Sequence, residues 1–426
     1  MMISKKLTAA ALSLLLLFSA SYGFLSCTVN AENAVSSAVP DKYEKLKSII
    51  RDGFRKKQSR IDISSCGFSL SALRRDSYCF IYDVLFEKEF YYVSPTGKFE
   101  ISEDGTATAF NAKYYSEDKT VNSEDNTRRY DELISSFTKD MDSGWSDLRK
   151  AAFLYDKLRS SAIYISGLYW SREEYYNYKE ENYFTVTSPL YVLSQGRGNC
   201  VGFARLYSVL LKEAGIQSMP VMNDTHIWDL VLIDGQWYHA DCSGGTVSEE
   251  RASQGKISHD MFLKSDKYTA NRLRSFYPSG LSVSEKYDSA GWNTSERPLA
   301  FSGDRIVFLR SKLSGGSGKL YIVSCDKDGK ERRETEIRDK WSTSYTWHKK
   351  FSTLVQYKDK IYYNTARAVM MYDPETDKSE QIYRYEKKDR CLTGIVIEDG
   401  YICGYFSKSP SGTSVKEKLV SLDDGN

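Results

Sequence analysis

The chain has 426 residues, 41% apolar and 27% charged, with 59 Lys and Arg against 57 Asp and Glu. Those proportions describe a globular chain of two or three cores and exclude collagen-like, coiled-coil and wholly disordered organisation. A net charge of +2 supplies no global field for nucleic acid or anionic lipid, so no nucleic-acid partner is expected.

In chain order, Lys5-Lys6 precede an apolar run from Leu7 to Phe18, and Val29 and Ala31 place small residues around a cleavage point, so residues 1–31 read as an export signal. The run is shorter than the ~20 residues a spanning helix needs, so the mature chain is expected to be secreted or held at the cell surface without a transmembrane span. Phe24-Leu25-Ser26-Cys27 loosely resembles a lipoprotein box and offers Cys27 as an alternative, lipidated N-terminus. Residues 1–31 carry Lys5 and Lys6 and no acid, so their removal leaves a formally neutral chain. It also leaves Cys66, Cys79, Cys200, Cys242, Cys325, Cys391 and Cys403, an odd set in which at least one thiol stands outside any intramolecular disulfide.

Residues 32–125 read as an N-terminal α/β extension. Tyr43, Leu46, Ile49, Ile50 and Phe54 recur at helical spacing between Asp41 and Lys57. Glu89 to Val93 and Lys98 to Ile101 read as strands around a Ser94-Pro95-Thr96-Gly97 turn, and the polar stretch Glu117 to Arg129 as a linker. Residues 126–287 form the next expected domain. Helical periodicity returns at Tyr130, Leu133 and Phe137, and again at Leu148, Ala151, Ala152, Tyr155 and Leu158. A tyrosine-crowded loop from Tyr164 to Tyr183 either lines a cleft or packs over the helices.

The chemistry is concentrated between Ser194 and Gly245. Gly196-Arg197-Gly198-Asn199 delivers Cys200 to the start of a helix with Phe203, Leu206, Tyr207, Leu210 and Ala214 on its apolar face and Gly215 at its end. A thiol there meets the positive end of the helix dipole, which favours the thiolate, and Gly202 leaves room around the sulfur. His226 to Ile233 and Gln236 to Asp241 are strand-like runs joined by Asp234-Gly235, a two-residue hairpin signal. In that register Asp241 faces Trp228 and lies diagonal to His226 on one sheet face, about 7–8 Å away. A nucleophile on a helix with a base and a carboxylate on one hairpin face is a Cys–His–Asp arrangement: Cys200 as nucleophile, His226 as general base, Asp241 as the group that orients it. His239 shares the face but stands about 13 Å along it from His226, too far to serve the same sulfur, and reads as structural. His259 and His348 have no comparable neighbours. Four dispersed histidines point to no catalytic metal, and no cofactor is expected.

The runs Gly198-Asn199-Cys200-Val201-Gly202-Phe203-Ala204, Thr225-His226-Ile227-Trp228-Asp229 and Asp234-Gly235-Gln236-Trp237-Tyr238-His239-Ala240-Asp241 together resemble the three motifs of bacterial transglutaminase-like proteins. The resemblance extends over roughly residues 130–270, including Tyr155-Asp156-Lys157-Leu158 and Met261 to Asp266. It implies a papain-like α+β core, with Cys200, His226 and Asp241 in the roles above. Two departures stand out: Asp229 where the family usually has Asn, and Cys242-Ser243-Gly244 in place of Pro-Thr-Trp, changes expected at the cleft rim. The Cys200 N–H is the natural oxyanion donor, with Gln195 a weaker second.

Residues 288–426 read as all-β. Leu299 to Leu309, Leu354 to Tyr363 and Ile395 to Ile402 each run strand, polar turn, strand. Lys319–Ile337, Val369–Tyr385 and Lys418–Leu422 are placed to supply further strands, giving a propeller-like repeat or a sandwich. The expected activity is acyl transfer or hydrolysis at peptide or protein amides through a thioester, with the β module contacting a cell-surface partner. The alternative is a non-catalytic surface protein that uses both modules as a binding scaffold.

Overall fold

The computed structural model describes residues 41–69, 72, 78–115, 124–165, 186–223, 226–243, 257–270, 281–314, 317–337, 352–387, 389–408 and 413–422. The export signal with Cys27, most of the tyrosine-crowded loop and His348 lie outside the described residues. Among those described, no helix is long and apolar enough to cross a membrane. The helices are α1 (Asp41–Arg55), α2 (Tyr78–Leu85), α3 (Glu124–Thr138), α4 (Asp147–Ser161), α5 (Pro189–Gln195), α6 (Cys200–Glu213) and α7 (Asp266–Ala270). The chain divides into two compact units: Met1–Ser135, Ile165–His239 and Asp266–Val283 form the first, and Ser136–Tyr164, Ala240–Ser265 and Ser284–Asn426 the second.

In the first unit, α1 buries Tyr43, Leu46, Ile50 and Phe54, as the helical spacing predicts. These join a core with α2 and with an antiparallel sheet of β1 (Arg60–Asp62), β2 (Val93–Ile101) and β3 (Ala107–Tyr114), in the order β1-β3-β2. The expected strand at Glu89 to Val93 is instead largely a 3-10 turn, Lys88–Phe90. Ser94 to Gly97 is not a turn: it lies inside β2, whose register on β3 jumps between Ser94 and Lys98. A Cβ at Gly97 would collide with the Phe110 ring, so the bulged backbone can press on that ring only as glycine. The expected linker is also shorter than its polarity suggests, because Glu124 to Arg129 are the opening turns of α3. Those side chains are solvent-facing, while Tyr130 and Ile134 supply the buried stripe.

The helix α6 packs on β4 (Ser218–Met222) and β5 (Ile227–Ile233), which with β6 (Gln236–Ala240) are hydrogen-bonded neighbours in that order. Its anchor is Arg205, which is 1% exposed. The guanidinium donates to the carbonyls of Leu85 (3.1 Å), Phe90 (2.8 Å), Val93 (3.0 Å) and Thr187 (3.4 Å) and to the Tyr115 hydroxyl (2.8 Å). The Phe90 carbonyl belongs to the 3-10 turn that replaces the expected strand and Val93 is the first residue of β2, so Arg205 binds the backbone where it enters the sheet.

In the second unit, α4 buries Leu148, Ala151, Ala152, Tyr155 and Leu158 at the expected positions. After β7 (Phe262–Lys264) the chain builds three antiparallel sheets in succession. The first is β8 (Ala300–Ser302), β9 (Arg305–Ser314), β10 (Ser317–Asp326) and β11 (Glu331–Glu336). The second is β12 (Leu354–Tyr357), β13 (Lys360–Asn364), β14 (Ala368–Asp373) and β15 (Lys378–Arg384). The third is β16 (Cys391–Glu398), β17 (Tyr401–Ser407) and β18 (Val415–Ser421). Leu309, Leu320 and Ile322 of the first sheet pack on Ile361, Tyr363 and Tyr372 of the second. Tyr362 and Val369 pack in turn with Leu392, Ile395, Ile402 and Phe406 of the third. Amide side chains stitch the layers: Gln356 exchanges hydrogen bonds with the Phe301 backbone, and Asn364 donates to Leu392 O at 3.2 Å. The described strands form a stack of meander sheets and no closed propeller ring.

Removing the Arg205 guanidinium leaves its carbonyl partners buried without a donor, so Arg205→Met is expected to cost roughly 3–5 kcal/mol in urea unfolding. Lysine, with a single point donor, should restore only part of it. Asp83 on α2 faces Lys47 at 3.9 Å, yet burial outweighs the nearby lysines and raises its carboxyl from 3.8 to about 6. The folded chain therefore holds that proton more tightly than the unfolded one, and Asp83 weakens the fold above about pH 6 and not below 3.8. Asp83→Asn should raise the unfolding midpoint at pH 7.5, with the gain shrinking towards zero as the measurement is repeated down to pH 4.

Candidate active site

Helix α5 ends in a left-handed turn at Gly196 (φ 63°), and the chain reaches α6 through Asn199. Asn199 is the N-cap. Its Oδ1 accepts the N–H groups of Val201 (3.1 Å) and Gly202 (3.2 Å), and its carbonyl takes the Phe203 N–H (3.0 Å). That leaves the N–H of Cys200, first residue of the helix, without an acceptor among the described residues. The thiol is partly exposed, and Cys200 and Val201 pack against a core that includes Ala204, Met222 and Ile227. Gln195, the other expected oxyanion donor, is exposed, with its amide on the Ser194 hydroxyl at 3.5 Å.

Gly202 serves packing rather than space at the sulfur. It is buried, and a Cβ there would collide with the Val186 carbonyl oxygen, which also accepts the Asn199 N–H at 3.1 Å. Glycine lets the first turn of α6 lie directly on that backbone. The parity of the cysteines also loses its force: Cys66, Cys200, Cys242, Cys325, Cys391 and Cys403 are all free, and only Cys200 and Cys391 among these are not buried.

His226 sits between β4 and β5. Met222 and Ile227 oppose each other in the β4–β5 register, and the Asn223 side chain accepts the His226 N–H at 2.8 Å while the His226 carbonyl takes the Asn223 N–H at 2.9 Å. Thus the strand pair packed beneath Cys200 also carries the Asn223–His226 bonds that hold His226. The imidazole stacks on Trp228, with centroids 5.7 Å apart and planes at 22°. The β5–β6 turn has positive φ at Asp234 (50°) and Gly235 (73°), as the Asp-Gly pair predicts. His239 is fully buried, accepting from Trp228 Nε1 at 2.9 Å through Nδ1 and meeting Asp266 at 2.8 Å through Nε2.

Asp241, in the second unit, is 4% exposed. Its N–H donates to Met261 O (3.0 Å), its carbonyl accepts from the Tyr155 hydroxyl (3.1 Å), and its Oδ1 accepts from both the N–H (2.8 Å) and hydroxyl (2.7 Å) of Ser243. Arg159, also buried, donates to the neighbouring Cys242 carbonyl at 3.2 Å. Tyr155 and Arg159 share one face of α4, and neither role shows in the sequence, because their partners lie more than eighty residues away. His259 has a carboxylate neighbour after all: its Nε2 is 2.6 Å from Asp156 Oδ1, in a buried pair whose second oxygen accepts the Leu299 N–H. The departures expected at a cleft rim are interior instead. Asp229 is fully buried on the same side of β5 as Ile227, where its charge acts on Lys212, and Cys242 and Ser243 are buried too. Among the described residues, no group of three His, Cys, Asp or Glu side chains is placed to hold a metal ion.

Residues 135–242 match the family model described as the transglutaminase-like superfamily, a span that takes in Cys200, His226 and Asp241. The chain carries a transglutaminase-like superfamily domain. No curated protein matches the chain. Among solved structures, a TGase is similar at 16% identity and a TM-score of 0.27, over 47% of this chain. The aligned part spans 58% of that TGase. A structure provisionally named a cysteine protease from Cytophaga hutchinsonii is similar at 11% identity and a TM-score of 0.20, over 58% of this chain and 78% of the other. A provisionally named protease from Parabacteroides distasonis is similar at 13% identity and a TM-score of 0.20, over 57% and 63% of the two chains. Likenesses this remote carry no argument about residues or activity.

Because the transglutaminase-like domain lays α6 on the Val186 backbone, Gly202→Ala should lower stability by about 1–3 kcal/mol, read from the shift of a urea unfolding curve.

Proposed function

We propose that the transglutaminase-like domain is a thiol amidohydrolase acting on peptide or protein amides. The carrying observation is the first turn of α6: Cys200 stands partly exposed at the positive end of the helix, with its own N–H uncommitted among the described residues while Asn199 occupies the next two donors. The N–H beside the sulfur is placed to receive the charge of a tetrahedral oxyanion, and the positive end of the helix favours that charge.

In the proposed cycle His226 takes the Cys200 proton and Sγ attacks the amide carbonyl. Collapse of the tetrahedral intermediate breaks the C–N bond, and the imidazolium returns its proton to the departing amine. Water then attacks the thioester while His226 accepts its proton, releasing the carboxylic acid and restoring the thiol. Asp241 would hold the imidazole in the required tautomer and stabilise the imidazolium. Water is the proposed acceptor because an amine competes with bulk solvent only where a site holds it. The Lys5-Lys6 and Leu7 to Phe18 pattern supports placing this activity outside the cytoplasm.

Alkylation of Cys200 by a haloacetamide near neutral pH should be about tenfold faster than that of a free model thiol, and His226→Ala should remove the advantage. Equal rates for Cys200 and the model thiol would leave a binding scaffold rather than an enzyme. With a glutamine-containing protein and an added primary amine, ammonia release without incorporation of the amine is expected. Incorporation would make the domain a cross-linker.

A further inference from the structure

We infer that Asp266, His239 and Trp228 form a positioning relay that fixes the plane of the His226 ring. The inference rests on the reading of His226 as general base and deepens it. An indole N–H can only donate, so the 2.9 Å bond from Trp228 Nε1 requires His239 Nδ1 to be the bare nitrogen. The proton of the neutral ring then sits on Nε2, where Asp266 Oδ1 lies 2.8 Å away. One tautomer of His239 is thereby selected from both sides, and the ring has no nitrogen left for a reacting sulfur.

Trp228 is the end of this chain. It is 1% exposed, and Val221, Leu230, Met219, Trp237, Leu281 and Val283 surround it. Apolar packing alone would be served as well by phenylalanine. A buried histidine is costly unless both nitrogens are satisfied, and here the pair of bonds does one thing: it fixes the rotation of a single indole. That indole is the surface on which His226 lies, two residues earlier in the chain, with the planes 22° apart. The imidazole must present one nitrogen to the thiol, so a tilt of its stacking platform changes the proton transfer without touching any reacting atom. Asp266 is half exposed and starts α7, so the relay begins at the surface of the unit and ends at the base.

The test measures the rate of Cys200 alkylation by iodoacetamide from pH 5 to 9 in the full-length protein, following the Cys200 peptide by mass spectrometry, with unfolding midpoints recorded alongside. The parent should show a limb that His226→Ala abolishes. His239→Leu, which removes the acceptor of the indole N–H and the ring that meets Asp266, should lower the plateau at least about threefold and move the limb by roughly half a pH unit. His239→Gln can accept from Trp228 and donate to Asp266, and should recover most of the parent profile. Trp228→Phe and Asp266→Ala, one keeping the ring and the other at a half-exposed site, should move the limb in the same direction and stand in if His239→Leu does not fold. If the parent limb survives His226→Ala, the general-base reading fails and the relay falls with it. If His226→Ala abolishes the limb while the folded relay variants superpose on the parent, the base stands and the relay is wrong.

Discussion

Arg205 puts a full positive charge in the middle of the first unit, and its donors go to carbonyl oxygens and a phenol. Placing a guanidinium there is tolerable only if nearly every N–H finds an acceptor, which requires three separate stretches of backbone to arrive together: Leu85 at the end of α2, Phe90 and Val93 leading into β2, and Thr187 ahead of α5. Apolar burial would have held α6 against the extension in many rotations. Five directional bonds permit one, and because Arg205 is five residues from Cys200 on a rigid helix, that rotation also sets where the thiol points. Thr187 ties the arrangement tighter, since its hydroxyl meets Tyr115 at 2.8 Å while the adjacent Val186 carbonyl caps the turn at Asn199 and lies over Gly202. The N-terminal extension is therefore a supporting wall of the thiol site.

What could be read from the sequence follows from how local its causes are. Helices α1, α4 and α6 were legible from the spacing of their apolar residues, and the Asp234-Gly235 hairpin from turn chemistry, because each depends on contacts a few residues apart. The three meander sheets were legible for the same reason, with Asp304, Asp359 and Asp399 each in a hairpin turn. The failures are non-local. Glu89 to Val93 has strand composition, yet Phe90 and Val93 give their carbonyls to a residue more than a hundred positions later. Asp229, expected at the cleft rim, is turned inward by the alternation of a strand packed on α6. A polar residue at a core position was the available signal, since Arg205 and Arg159 interrupt largely apolar helix faces.

The second unit repeats the logic around α4. Tyr155 holds the backbone at Asp241 and Ser258, Asp156 joins His259 to the Leu299 N–H, and Arg159 holds the Cys242 carbonyl. Three inward-facing polar side chains of one helix thus fasten the segment carrying the candidate carboxylate to the start of the β module. In energetic terms each contact does little more than offset its own desolvation, so stability is a poor reason for them. Their effect is on uniqueness. Irregular backbone such as residues 241–243 has no ladder to hold its register, and fixed donors from a neighbouring helix substitute for it.

Both units therefore place polar side chains of a helix against irregular backbone at the points where the candidate chemistry sits. Catalysis by a thiol and an imidazole is sensitive to displacements well under the length of a bond between heavy atoms in contact, and apolar packing, which is non-directional, does not define positions that closely. Directional bonds do. The cost is that such a site is only as ordered as its most distant partner: loss of the Phe90 carbonyl from Arg205 would loosen the thiol helix, and loss of Tyr155 would loosen Asp241, without any change at Cys200 or His226. Residues that position the candidate groups are expected well outside the motifs that identify the domain, at the buried arginines and the tyrosine of α4.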